Sequence, residues 1–427
     1  MISLLNNHKL RRCVVFLLWY VIFFSMGPYC MSQKINLYDC TSSNYSPDIS
    51  FGIVDLKFDG ESIKICELGD GPLSMFRGFD YLYGRGVLWE RFWTYLATFS
   101  LPFGYVMSKR VRNEFLPEYM GRDMFTQLGG TVIQDFRSLL SYKPLNRVMH
   151  TSGKQKKYDI ASDYSLLIIA KYNGENTKKI EQLQTQQNGI LVLNEVLSLY
   201  ANSKAFMHKL FLSDPLLHQY RPRAVLCLKH YEPCLAQKII EKLQADLYVI
   251  KPINAVKGFG VLMVKKDELD TALATLFGKA SHIYGRVFDA SALAYWRDKK
   301  GGFFLVEAYA PSKIIRVDDV NYDATMRVAY VLSHNKGESA IHFLGSYWKL
   351  PEKGVNQKGS LLEQHRSSIS VECPSAAFVD EKDFTYVKRL LTDALLRAYS
   401  HMLHNRIDLH KKPFAGAGYY KLLEPDI

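Results

Sequence analysis

The sequence predicts an α/β protein. Two observations in its second half carry that prediction. Short apolar runs, GILVLN (189–194) and RAVLCL (223–228), are each followed by a helix-patterned stretch, ANSKAFMHKLFL (201–212) and EPCLAQKIIEKLQ (232–244). The stretch YVIKPINAVKGFGVLMV (248–264) then holds two strand-forming runs around a basic, glycine-bearing insert. That insert is longer than the roughly two to five residues of an ordinary hairpin turn, and it carries charge.

The remaining elements follow in order. FGIVDLKFDGESIKICELGDG (51–71) reads as two strands joined at Asp59-Gly60, a favoured turn dipeptide. Residues 34–50 are polar and turn-rich, and 87–99 (VLWERFWTYLATF) has an amphipathic helical pattern. The basic loop HTSGKQKKYD (150–159) is a boundary candidate. YSLLIIAKY (164–172) is a buried strand. DELDTALATLF (267–277) is a helix capped at Asp267. GGFFLVEAYA (301–310), TMRVAYVLS (325–333) and SAIHFLGSYWKL (339–350) are strands, and FTYVKRLLTDALLRAYSHML (384–403) is a long helix. The division expected is an N-terminal segment 1–33, an N-terminal α/β region 34–188 that includes the hairpin 51–70, a domain 189–410 and a tail 411–427.

Composition sets bounds. A chain of 427 residues with 48% hydrophobic content has room for two or three domains and a large core. The formal net charge of +12 suits an anionic partner. The basic residues are spread out, and no aromatic RNA-binding motif, zinc finger or helix-turn-helix pattern accompanies them, so nucleic acid is not the expected partner. The seven cysteines (Cys13, Cys30, Cys40, Cys66, Cys227, Cys234 and Cys373) are odd in number and include no C-x-x-C pair, which implies neither a disulfide framework nor a metal site. At the N-terminus, KLRRCVVFLLWYVIFFSMG (9–27) is a basic cluster followed by an apolar run. The run is shorter than the roughly 20 residues of a comfortable membrane span. It reads as a signal-like segment or a membrane anchor through residues 13–26, giving an anchored or exported protein. The alternative is translation from Met26 or Met31 and a cytoplasmic protein.

The motifs point to a polyphosphate. Phosphates need cations projecting from fixed elements and backbone amides on a glycine-bearing loop. The chain supplies Lys204 at a helix start and Lys251 on a strand. A loop with Lys257, Gly258 and Gly260 follows, then Glu307 at a strand end and Arg327 on the next strand.

That order resembles the ATP-grasp superfamily. NSKAFMHKLF matches its first lysine at Lys204, and IKPINAVKGFGVLMV its second at Lys251, with the glycine-rich loop after it. LVEAYA resembles the hinge that presents backbone groups to adenine, at Glu307, Ala308 and Tyr309. DATMRVAYVL supplies the strand arginine, Arg327, and YWKLPEKGVNQKG supplies Lys349, Asn356 and Gly359. The resemblance covers 189–403, about half of the chain. It implies an ATP-grasp fold, two α+β subdomains clasping the nucleotide, here with the additional N-terminal α/β region.

One part of the family pattern is missing. After the long helix, NRIDLHKKPFAGAGYYKLLEPDI contains no apolar Glu-x-Asn strand to hold a metal. The hairpin at 51–70 instead carries Asp55, Glu67 and Asp70, the candidate metal ligands. Either the final hairpin of the family has moved to the N-terminal end by circular permutation, or 51–70 is an ordinary hairpin of the first region.

The resemblance implies ATP and Mg²⁺ as cofactors and a Mg-dependent ligase. A substrate carboxylate would attack the γ-phosphate and form an acyl phosphate, which an amine or similar nucleophile captures. Lys204, Lys251 and Arg327 would bear the phosphates, with Arg327, Lys349 and Asn356 as catalytic candidates. Small-molecule or peptide carboxylates and amines are the implied partners, and His365 and Arg366 in GSLLEQHRSS are candidates for an anionic substrate. The alternatives are a degenerate domain that binds nucleotide or partners without ligase activity, a phosphotransferase acting on a hydroxyl, and a membrane-anchored structural protein.

Overall fold

A computed structural model of the chain describes residues 45–71, 76–99, 101–106, 122–128, 130–133, 166–169, 179–180, 182–184, 189–201, 203–255, 258–278, 295–296, 302–367, 375–410 and 424–427. All lie in one compact unit, Ser42–Ile427. The apolar segment 13–26, the loop 150–159, Lys257 and residues 411–423 lie outside the described residues.

A five-stranded antiparallel sheet holds the centre. Its strands are β1 (Asp48–Phe58), β2 (Ile63–Asp70), β13 (Thr325–Asn335), β14 (Glu338–Lys349) and β15 (Ala376–Ala377), in the order β15-β14-β13-β1-β2. The Asp59-Gly60 turn forms as expected. Asp59 Oδ1 accepts from the amides of Glu61 (2.9 Å) and Ser62 (2.7 Å), and Gly60 takes φ +110°. The hairpin does not stand apart as an N-terminal element, because β1 pairs along its length with β13 from Asp48↔His334 to Leu56↔Met326.

Every residue of β1 is buried, so both faces of the sheet are covered. Alternation sends Val54, Leu56 and Phe58 to one side. There they meet Met326, Val328, Trp348 and residues of a long helix whose backbone runs from Glu381 to His410, including Leu391, Leu395 and Tyr399. Phe51 and Ile53 point the other way. They enter an aromatic core formed with α1 (Arg77–Tyr83) and α2 (Val87–Ala97), through Phe76, Phe79, Trp89 and Phe92.

Beyond α2 lies a four-stranded parallel sheet in the order β4-β3-β5-β6. It comprises β3 (Phe103–Val106), β4 (Gly130–Ile133), β5 (Leu166–Ile169) and β6 (Ile190–Val192). The helix α3 (Arg122–Gln127) comes between β3 and β4, and α4 (Leu197–Ala201), α5 (Lys204–Leu212) and α6 (Pro215–His218) follow β6 before the next sheet.

The second antiparallel sheet has four strands, β7 (Ala224–Leu228), β8 (Leu247–Pro252), β9 (Leu262–Lys265) and β10 (Phe303–Ala308), in the order β7-β10-β8-β9. One face carries α7 (Leu235–Leu243) and α8 (Leu269–Phe277); the other receives Ala205 and Phe206 of α5. The expected cap at Asp267 gives way to a single 3₁₀ turn over Lys266–Glu268, and α8 starts at Leu269. A hairpin of β11 (Ile314–Val317) and β12 (Val320–Asp323) joins the two antiparallel sheets in sequence. A short helix, α9 (Leu361–His365), follows β14, and the Glu381–His410 helix is α10.

The expected membrane anchor, and the anchored or exported location drawn from it, are corrected. Among the described residues no helix is long and apolar enough to cross a membrane.

Candidate functional site

The charged end of the five-stranded sheet is one half of the site. Residues paired across strands share a face, so Tyr347, Arg327, Asp55 and Glu67 form one row over β14, β13, β1 and β2. Arg327 grips Asp55 with a fork: Nε donates to Oδ1 (2.7 Å) and Nη2 to Oδ2 (2.8 Å). Lys349 Nζ donates to the same Oδ2 at 2.8 Å. Burial opposes ionisation of Asp55, but the two cations outweigh it and hold its carboxyl well below the usual range. The Asp55 carboxylate in turn pushes the Arg327 guanidinium up against the cost of its burial. Lys349 goes the other way, because burial and the neighbouring Arg327 charge lower its ammonium more than Asp55 raises it.

Glu67, the outermost member of the row, is partly exposed and accepts from Lys204 Nζ at 3.1 Å. Lys204 opens α5 behind Ser203, whose hydroxyl caps the helix by accepting from Phe206 N. Its backbone N–H donates to Ile253 O (2.9 Å) and its Nζ to Ala255 O (2.6 Å), both in the segment after β8. One lysine thus ties the five-stranded sheet to the glycine loop of the four-stranded one. A cavity of about 10 Å³ lies here, lined by Glu67, Ser203, Lys204 and Ala255 among others. It has room for about one water molecule.

The second half sits on the four-stranded sheet. Glu307 of β10 is buried between two cations: Lys251 of β8 donates to Oε2, and Arg221, just before β7, donates to Oε1 at 2.8 Å. Burial works against the Glu307 carboxylate, yet Lys251 and Arg221 hold its pKa down. Glu307 likewise raises Lys251 in spite of burial. Burial pushes the Cys66 thiol up, and the thiol is near enough to this group to feel the charges of Lys251, Glu307, Lys57 and Arg221. Cys66 is the extra residue of a bulge: Asp55 pairs with Glu67 but Leu56 pairs with Ile65. The two halves therefore meet through β2. Five cations, Lys204, Arg221, Lys251, Arg327 and Lys349, face three carboxylates, Asp55, Glu67 and Glu307, an excess of two positive charges in a largely buried setting.

A third group borders them. Lys57 Nζ, buried, donates to Asp323 Oδ1 (2.9 Å) and lies 5.7 Å from the centre of the Tyr309 ring. His365 Nδ1 lies 2.9 Å from Asp323 Oδ2 and 2.9 Å from the Tyr309 hydroxyl. The two glycines of the loop are needed where they stand. Gly258 and Gly260 both adopt φ +71°, and a Cβ on Gly260 would meet Tyr295 Cδ1 at 2.6 Å. Trp296 Nε1 donates to Gly260 O at 2.7 Å, which pins the loop from behind.

Lys204, Lys251, Glu307, Arg327, Lys349, Asp55 and Glu67 are thus brought together. Several expected residues are not. Asp70 pairs with Gly52, three positions along β1 from Asp55, and alternation puts it on the opposite face of the sheet. There its Oδ1 accepts from Asn194 Nδ2 at 2.6 Å. Asn356 is exposed and accepts from Asn321 N at 3.4 Å beside the β11–β12 hairpin. The hinge amides are engaged: Ala308 N donates to Arg223 O (2.8 Å) and Tyr309 N to Leu247 O (2.9 Å). Lys257 lies outside the described residues. The three expected metal ligands do not fit a Mg²⁺ ion as they stand, since both Asp55 oxygens are taken by cations and Asp70 faces away. Among the described residues no other group of His, Cys, Asp or Glu could hold a metal.

Arg221 escapes sequence reasoning because HQYRPRAVL matches no motif. Lys57 escapes it because a lysine on an apolar strand gives no sign of the aspartate it pairs with, 266 residues away.

Fold and site together define an α/β protein with a largely buried, cation-rich cluster where two antiparallel sheets meet. No family model matches the chain, and no curated protein matches it. Solved structures do resemble it. A putative gamma-glutamylcysteine synthetase from Methylobacillus flagellatus is 11% identical with a TM-score of 0.42, over 89% of this chain and 94% of that one. A D-cycloserine synthetase is 13% identical with a TM-score of 0.33, over 70% and 81%. A D-alanyl-alanine synthetase A from Vibrio cholerae is 15% identical with a TM-score of 0.28, over 55% and 58%. These are similarities at low identity and low score. The α/β class of this chain stands on its own sheets and helices.

Proposed function

We propose that this cation cluster binds the polyphosphate of ATP and that the chain is an ATP-grasp-like ligase. The observation that carries this reading is the state of its cations. Lys204, Lys251, Arg327 and Lys349 come from four different elements, gather in one cluster, and each rests on a carboxylate or shares one. Buried cations in excess of their carboxylates are costly unless an anion joins them. A triphosphate supplies that anion.

In the reaction, a carboxylate oxygen of the substrate attacks the γ-phosphorus and the bond to the β-phosphate oxygen breaks, releasing ADP. An amine then attacks the acyl carbon, phosphate leaves, and the amine proton passes to solvent. The chain's residues do two things. Lys251 and Lys204 hold the leaving phosphates, and Arg327 with Lys349 neutralises the charge of the transferring group. No nucleophile from the protein is required. The placement of β1–β2 beside β13 supports the view that an N-terminal hairpin stands where the ATP-grasp pattern has its last one.

A second reading, nucleotide binding without turnover, is favoured by one observation, the sealing of Asp55 by Arg327 and Lys349. Incubating the protein with ATP, Mg²⁺ and pooled amino acids and short peptides separates the two. The ligase reading expects ADP, phosphate and a condensed product detectable by mass. ADP with a phosphorylated acceptor would make it a phosphotransferase, and bound but unconsumed ATP would leave the binding reading.

A further inference from the structure

Lys251 Nζ donates to Glu307, and it can give its full charge to a phosphate only by moving off that carboxylate. If it leaves, a carboxylate that is almost fully buried loses one of its two cations. A buried carboxylate stripped of its partner either protonates or pulls the lysine back. Arg221 stands on the other carboxylate oxygen, buried to within 5% of its surface.

Two features suit Arg221 to that exchange. Its Nε and Nη1 are buried with no hydrogen-bond acceptor among the described residues, so only Nη2 is used on Glu307. A guanidinium can close a two-point fork on one carboxylate, as Arg327 does on Asp55. Its plane also lies 5.9 Å from the Phe211 ring, an apolar wall that leaves it no solvent to turn to.

We propose that Arg221 is a positioning residue: it takes over the charge of Glu307 when Lys251 moves to a nucleotide phosphate, and so lets the lysine leave. The role rests on the nucleotide reading of the cation cluster. Besides Lys251 of β8 and Arg221, the charged or titratable groups around Glu307 are His208 of α5, backed by Asp426 and Lys209, and Cys66 of β2. Burial pushes His208 down, away from its charged form, and Cys66 can ionise only to an anion, so neither supplies a cation in place of the arginine.

The test is titration of the full chain with an ATP analogue that is not hydrolysed, with Mg²⁺, at pH 8 and pH 6. Arg221→Met should weaken binding about ten- to a hundredfold at pH 8. The loss should be smaller at pH 6, where the stranded carboxylate takes a proton and releases Lys251. The double variant Arg221→Met with Glu307→Gln should bind within about threefold of Glu307→Gln alone, because no charge is left to be stranded. A merely structural role for Arg221 would give neither the pH recovery nor the rescue. The proposal is overturned if Arg221→Met binds like wild type, or if its loss is the same at both pH values. It is also overturned if the double variant is much weaker than Glu307→Gln. Should Arg221→Met alone not fold, the Glu307→Gln pair decides by itself, since both members lack the carboxylate. A wild type that does not bind the analogue removes the nucleotide reading and the role of Arg221 together, whereas an Arg221 result against expectation in a binding wild type removes only the latter.

Discussion

One face of the five-stranded sheet has two ends with opposite chemistry. On β1, Phe51 and Ile53 sit in an aromatic core, with the Phe51 ring 4.2 Å from Phe92 and 5.7 Å from Phe76. Two residues further along the same face, Asp55 begins a row of charges, and Lys57 continues it. Burial does not distinguish the ends: Phe51 is 0% exposed, Asp55 5% and Lys57 6%. The apolar end is held by packing and water exclusion, which favour folding outright. The charged end gains little from being buried, since desolvation offsets most of the attraction. A fold that needed only stability would carry the apolar pattern through. That it does not is the physical reason to look for a ligand at the charged end.

The comparison can be broken by mutation. Phe51→Ala should cost about 3–5 kcal/mol in urea unfolding, through lost contacts and the cavity left behind. Nucleotide affinity per folded molecule should stay unchanged. Asp55→Asn should cost about 2–3 kcal/mol, because two charged donors lose their anion.

The two costs should then differ in pH dependence. The Asp55 carboxyl is lowered in the folded state from an ordinary value of 3.8, and that of Glu307 from 4.5. Their contributions are complete above those values and are lost as pH falls through the lower folded ones. Lys251 is raised from 10.5, so its share is present below that value and lost as pH climbs through the higher folded one. Unfolding measured at pH 7 and pH 3 should therefore show the Asp55→Asn cost shrinking and the Phe51→Ala cost holding. A constant Asp55→Asn cost would mean that its charge pairs do not matter to the folded state. The smallest effect belongs to the exposed Asn356: Asn356→Ala should shift stability by no more than about 0.5 kcal/mol. A larger shift, or a lost activity, would bring the loop at 351–360 into the site.

Much of this was legible in the sequence, for identifiable reasons. The turn at Asp59-Gly60, the strand pair around Lys251 and the helix behind Ser203 follow local rules that tertiary contacts did not override. Lys204, Lys251, Arg327 and Lys349, which the structure brings together, stand out in the sequence because their order along the chain carries information that no single lysine does. Asp70 stands apart because it lies three residues from Glu67 on the same regular stretch of β2, so alternation sends it to the face opposite Asp55. The parallel sheet went unread as a sheet, since FGYV and GTVI are only four residues each and show no period. The β11–β12 hairpin was missed because it turns on Asp318-Asp319, both at positive φ, with no glycine to mark it. The pairing of Lys251 with Glu307, and Arg221 behind them, depends on cross-strand contacts of β8, β10 and the entry to β7.

The central claim is that the charged end exists for a polyphosphate. Calorimetric titration of ATP with Mg²⁺ into wild type, Lys251→Ala and Arg327→Ala, each checked for folding by thermal melting, tests it most directly. The account predicts saturable binding to wild type and a loss of at least about tenfold in each folded variant. Equal affinity in all three proteins, or no binding to wild type, would contradict it.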